Sequence, residues 1–157
     1  MKRYYPLYWT LIHSMTLLLL YAAPQYTLTA GESQPQPYTV KTIKSFEDVI
    51  DDLKLAISEA NFRLTSENRI GSAISKQTGK EFPQARILHF CNLETARIFL
   101  EAEPDFLLNM PCRIAVRQDR NQVIIQTWLQ TEPCPELSKA VVEVNSILKQ
   151  IVHYGAE

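Results

Sequence analysis

Two stretches with apolar residues at helical spacing limit what this chain can fold into. Phe46, Val49, Ile50, Leu53, Ile57 and Ala60 form one apolar face of a helix, and Leu137, Val141, Val144, Leu148 and Ile151 form another. Each face has to be covered by another layer. The segments between them alternate or are rich in β-branched and aromatic residues, as strands are. Ser45 is placed as the N-cap of the first helix, with Asp48 three residues on.

The strand-like segments are 38–43, 62–66, 86–91, 112–117 and 123–129. The last two flank the turn-like Asp119-Arg120-Asn121-Gln122 and read as an antiparallel hairpin. A short helix or turn is expected over 70–76, and a loop from Gln77 to Pro83. A second short helix is capped by Asn92, with Ala96, Phe99 and Leu100 inward, and ends at Pro104. The order is β-α-β, loop, β-α, hairpin, α. It predicts an α+β two-layer sandwich: a curved antiparallel sheet with helices packed on one face.

The 157 residues suit one domain plus a tail, and 46% hydrophobic with 21% charged is a globular composition. Lys2 and Arg3 precede an apolar run from Leu7 to Ala23, and no acid occurs before Glu32. This is the pattern of a secretory signal over 1–30, with Ala30 at the cut. A membrane anchor is the rival reading, but the run is shorter than the ~20 residues of a spanning helix. Residues 31–37 read as a linker and 38–154 as a single α+β domain. The expected location is the periplasm or outside the cell, with membrane attachment only if the segment stays uncleaved. Beyond residue 30 the chain keeps fourteen basic and seventeen acidic residues, a net of -3. Such a domain is poorly suited to nucleic acid, where phosphate neutralisation supplies much of the affinity.

Cys91, Cys112 and Cys134 are an odd set for an exported chain: one disulfide plus a spare thiol, or an intermolecular bridge. Cys91 ends one strand and Cys112 begins another. A bridge between them requires Cα atoms within ~7 Å and stabilises by ~3 kcal/mol; two buried thiols acting as small hydrophobes are the alternative. Cys134, between prolines, is the exposed candidate. If Cys91 stands at a helix N-terminus, its thiolate is favoured, which suits a thiol or persulfide redox protein or a sulfur carrier using Cys91 and Cys112. His89 and Cys91 share a strand face, and Met110 and Cys112 are similarly spaced. These four are a soft ligand set for copper or haem, against a plain role as core residues.

Arg113 and Arg117 lie on one side of a strand with Ala115 between them, and Arg120 is near. They form either an anion clamp or a solvated row. Trp128 offers a ligand face, a dimer seam or core packing. No phosphate loop, serine elbow or zinc-protease helix is present, so whether the chain is an enzyme stays open. The reading reached is an exported module that binds a small ligand or a protein partner.

The segment Arg86-Ile87-Leu88-His89-Phe90-Cys91-Asn92, with Ala96 and with Pro111-Cys112-Arg113-Ile114-Ala115-Val116, resembles the domain-of-unknown-function family 302. Ser45-Phe46-Glu47 and the Ile70 segment fit as well, so the resemblance spans about residues 38–152. Leu93 and Met110 depart from the proline and leucine usual there. The resemblance implies a small α+β domain with a curved antiparallel sheet, assembled as a homodimer. It implies no settled activity.

Overall fold

The computed structural model describes residues 36–157, which form one compact unit. The expected signal segment and nearly all of the linker lie outside the described residues. None of the described helices is long and apolar enough to cross a membrane.

The strands are β1 (Tyr38–Thr42), β2 (Arg63–Asn68), β3 (Ala85–Cys91), β4 (Cys112–Asp119) and β5 (Gln122–Thr127). The helices are α1 (Phe46–Glu59), α2 (Ile70–Thr78), α3 (Leu93–Ala102) and α4 (Ser138–Tyr154), with single 3-10 segments at Pro104–Asn109 and Pro135–Leu137. One sheet of order β1-β5-β4-β3-β2 holds all five strands, and every pairing is antiparallel. The architecture is the α+β two-layer sandwich that the sequence predicts.

Burial follows the pleat. Leu88, Phe90, Ile114, Val116, Val123 and Ile125 point inward and are buried. Against them lie Val49, Ile50, Leu53 and Ile57 of α1 and Val144, Leu148 and Ile151 of α4, in one apolar cluster. Each helix covers the sheet with the stripe its spacing defines. Successive strand residues point to opposite faces, so the alternate set forms the outer face.

Local chemistry sets the ends of these elements. The Ser45 hydroxyl accepts the Asp48 N–H at 3.2 Å, so Ser45 caps α1 as expected. Asn92 caps α3 by accepting the N–H groups of Glu94 and Thr95, both at 3.0 Å. It also donates to the carbonyl of Asn61 at 2.9 Å, and Asn61 has the left-handed φ of 61°. One side chain thus caps a helix and braces a strained turn between α1 and β2. A register shift between Leu64 and Ser66 marks a bulge in the edge strand β2. Gly71 lies so close to Pro83 and Ala85 that a Cβ there would stand 2.4 Å from the Pro83 carbonyl. That close approach seats α2 beside the start of β3.

Two departures from the expected elements matter for the site. The chain does not run freely from α3 to β4: the 3-10 segment buries Phe106, which packs against Phe99 with ring centroids 4.4 Å apart. β5 ends at Thr127 rather than Leu129. Thr127 is buried and donates its hydroxyl to the Arg113 carbonyl at 2.8 Å. The backbone N–H and carbonyl of Gln130 are both held by the side chain of Asn145 in α4, at 2.7 and 2.9 Å. Trp128 stands between these two anchors, just past the strand.

Candidate functional site

The other face of the sheet carries no helix among the described residues, and this helix-free face can be built row by row from the register. Thr39, Gln126, Ala115, Ile87 and Asn68 lie side by side across the five strands. The row toward the start of β4 holds Arg113 and His89, which are paired directly across β4 and β3, and Trp128 follows β5 on that side. The row on the other side of Ala115 holds Lys41, Ile124, Arg117 and Ala85. Every strand residue in these three rows is apolar, neutral polar or basic. Asp119 is the acid of this face among the described strand residues, and it sits at the hairpin turn paired with Arg117 at 3.5 Å. The fold thus sorts charge: a chain that is acidic overall carries its acids mainly on helices and loops and leaves this face basic.

A concavity of about 240 Å³ opens on this face. Its lining includes Ile87 and Ala115 as a low apolar floor, Arg113, Gln126 and Trp128 as walls, and Pro37. Gln126 is steadied by donating its amide to the Thr39 hydroxyl at 3.2 Å. Arg113 makes no ion pair among the described residues, whereas Arg86 is bound by Glu47 and Glu67 and stacks on the Phe46 ring. Trp128 is 44% exposed. β4 carries Arg113 and the end of β5 is followed by Trp128, and both side chains stay exposed.

Of the residues the sequence singles out, Arg113 and Trp128 are therefore brought together. Arg117 shares the face but lies two rows from Arg113, committed to Asp119. Core packing of Trp128 is corrected by its exposure: Val123, Ile125 and Thr127 point inward, so the alternation along β5 sends the next residue, Trp128, to the outer face. Gln126, Ile87 and Ala115 carry no signal of their own in the sequence and join the site only through the register.

The cysteine cluster is arranged differently from expectation. Cys91, Cys112 and Cys134 are all free thiols. Phe90, not Cys91, is the register partner of Cys112, so Cys112 faces the core while Cys91 alternates away from it. Both border a small apolar cavity of about 30 Å³, shared with Met110, Phe99 and Phe106. Burial, reinforced by the nearby Cys91, pushes the Cys112 thiol up to about 11. Burial raises Cys91 as well. Burial thus opposes the thiolate expected at the α3 N-terminus, where the Asn92 side chain already accepts two of the N–H groups.

His89, Cys91, Met110 and Cys112 are not gathered as a ligand set. His89 projects from the outer face opposite Arg113, while Cys112 and Met110 pack against the core. Among the described residues no three His, Cys, Asp or Glu side chains are placed to hold a metal ion together. The cavity beside Cys112 is also far smaller than a porphyrin, so these residues do not fit a haem.

Among the described residues, an antiparallel five-stranded sheet with helices on one side and a basic face on the other defines the class of protein. Comparison with known families then gives the family. The profile of the Domain of unknown function DUF302 matches residues 38–153, and the chain belongs to that family. It is similar in fold to the crystal structure of an uncharacterized conserved protein DUF302 from Bacillus stearothermophilus. The TM-score is 0.68 at 18% identity, over 75% of this chain and 96% of that one. No curated protein matches the chain.

Proposed function

We propose that this chain is an exported binding module, working in the periplasm or outside the cell, whose working surface is the helix-free face of the sheet. One observation carries the reading: Arg113, which makes no ion pair among the described residues, and the half-exposed Trp128 share a preformed concavity on that face. Buried or exposed cations are ordinarily satisfied by carboxylates or left in open water. Arg113 is exposed and lines the concavity together with the apolar Ile87 and Ala115, with no strand carboxylate beside it, which suits an anionic ligand arriving from solution.

Export is supported by Lys2, Arg3 and the apolar run that follows them. Mass analysis of the protein from the cells that make it should show loss of about the first thirty residues. An intact Met1 in a cytosolic fraction contradicts export.

The homodimer implied by the family resemblance is retained in this reading, with the basic face outside its interface. Stacking two copies through that face would bring Lys41, Arg113 and Arg117 against the same cations, and like charges brought together oppose association. The thiol and metal readings are not adopted. Cys91 and Cys112 are both held toward the neutral form, and the soft ligands are split between two faces of the sheet.

Equilibrium dialysis against small anions, cations and neutral solutes tests the binding reading. Retention of anions that is lost in Arg113→Ala is the expected result. Retention unaffected by that change, or confined to neutral solutes, contradicts it.

A further inference from the structure

The shape and chemistry of the concavity also narrow its ligand, an inference that rests on the binding reading above. We propose that it takes a small planar carboxylate: a single aromatic ring lying against Trp128, with its carboxylate on Arg113.

Three observations lead to this class. The first is the cation. One guanidinium, carried on the central strand β4 with both flanking strands paired, presents a planar fork that matches the two oxygens of a carboxylate. Arg117, the next cation along the strand, is committed to Asp119, and Lys41 lies across Ile124 on the edge strand β1. A phosphate would draw on several cations converging at one point, and this face spreads them over different rows.

The second is the floor. Ile87 and Ala115 are cross-strand partners, and Gln126 lies beside Ala115 on β5. Short or flat side chains on a sheet leave a shallow apolar platform, which suits a planar group better than a branched one. The indole of Trp128 borders this platform with nearly half of its area open, and aromatic rings gain from offset or edge contact beyond the area they bury.

The third is size and sign. A volume of about 240 Å³ is below the ~300–1,000 Å³ of sites that enclose drug-sized ligands, so one ring with one acid group is the scale that fits. A second copy of this chain is the competing occupant of an open sheet face, and it is disfavoured because the face is basic on both copies.

The test is calorimetric titration of the protein with benzoate, cyclohexanecarboxylate, benzamide and acetate, run on the wild type, Arg113→Gln and Trp128→Leu. Both substitutions are at exposed side chains, and far-UV circular dichroism checks that the fold is kept. The proposal expects benzoate to bind several-fold tighter than cyclohexanecarboxylate and far tighter than benzamide. It expects Arg113→Gln to weaken benzoate by roughly tenfold, the scale of one charge-assisted hydrogen bond, and Trp128→Leu to remove the preference for the ring. If all carboxylates bind alike and Arg113→Gln abolishes them, the anion site stands and the aromatic ligand class is overturned. If no carboxylate binds, both the ligand class and the binding reading fall. If sedimentation shows a dimer that Arg113→Glu dissociates, the occupant is a second copy and the proposal is overturned.

Discussion

Cys112 shows how a single residue can look reactive in sequence and be inert in structure. Its place at a strand start, near a second cysteine, suggested a bridge or a nucleophile. The register instead turns it inward opposite Phe90, where desolvation favours the neutral thiol. An unfolded thiol ionises near 9.0, whereas the folded one is pushed up to about 11. Between those values the unfolded chain has shed a proton that the folded chain keeps. The stability that the neutral thiol contributes is therefore full below pH 9 and is lost as pH rises from about 9 to about 11, on the order of 2 kcal/mol in all. Urea unfolding of the wild type and Cys112→Ala at pH 8 and pH 11 should show a smaller pH effect in the variant. Equal pH effects contradict this. Iodoacetamide at pH 8 should likewise leave Cys112 unmodified until denaturant is added, and rapid labelling of the folded protein contradicts the inward placement.

At the scale of elements, caps and register decide where the side chains of the site end up. Asn92 joins two elements by capping α3 and bracing the Asn61 turn. Asn92→Ala should cost about 2 kcal/mol, the sum of a lost cap of ~1 kcal/mol and a lost hydrogen bond of similar size. Asn92→Asp keeps the acceptor for Glu94 and Thr95 but loses the donor to Asn61, so it should cost roughly half as much. Denaturation midpoints check both: no cost for Asn92→Asp would show that the link to Asn61 contributes nothing, and equal costs for the two variants would show that the cap contributes nothing. The sequence made most of the elements legible, because apolar spacing, Ser45, Asn92 and the hairpin turn are local signals. The 3-10 segment around Phe106 was not legible, since its reason is contact with Phe99 rather than a pattern of its own. The end of β5 was misplaced for a similar reason: Thr127 bonds to Arg113 on the next strand, and Asn145, one polar residue in a long helix, holds Gln130. Both partners are remote in sequence.

At the scale of the whole molecule, the domain separates its two faces by charge as well as by layer. The inner face is closed by α1 and α4. The outer face carries Lys41, Arg113, Arg117 and His89 above a floor of Ile87, Ala115 and Ile124. Arg113, Arg117 and Trp128 could be picked out from their residue types, but their grouping could not. Which of them meet depends on a register that places Ala115 against both Ile87 and Gln126. The same register separates His89 from Cys112 and so divides the expected metal ligands. Family membership adds the fold and no settled activity.

The central claim is that the helix-free basic face, and not the thiol-lined cavity, is the working surface. Titrating benzoate into the 15N-labelled protein and following the amide and indole signals tests it most directly. The account predicts shifts at Ile87, Arg113, Ala115, Gln126 and the Trp128 indole, with Cys91, Met110 and Cys112 unmoved. Shifts confined to Cys91, Met110 and Cys112, or a spectrum that does not respond at all, would contradict it.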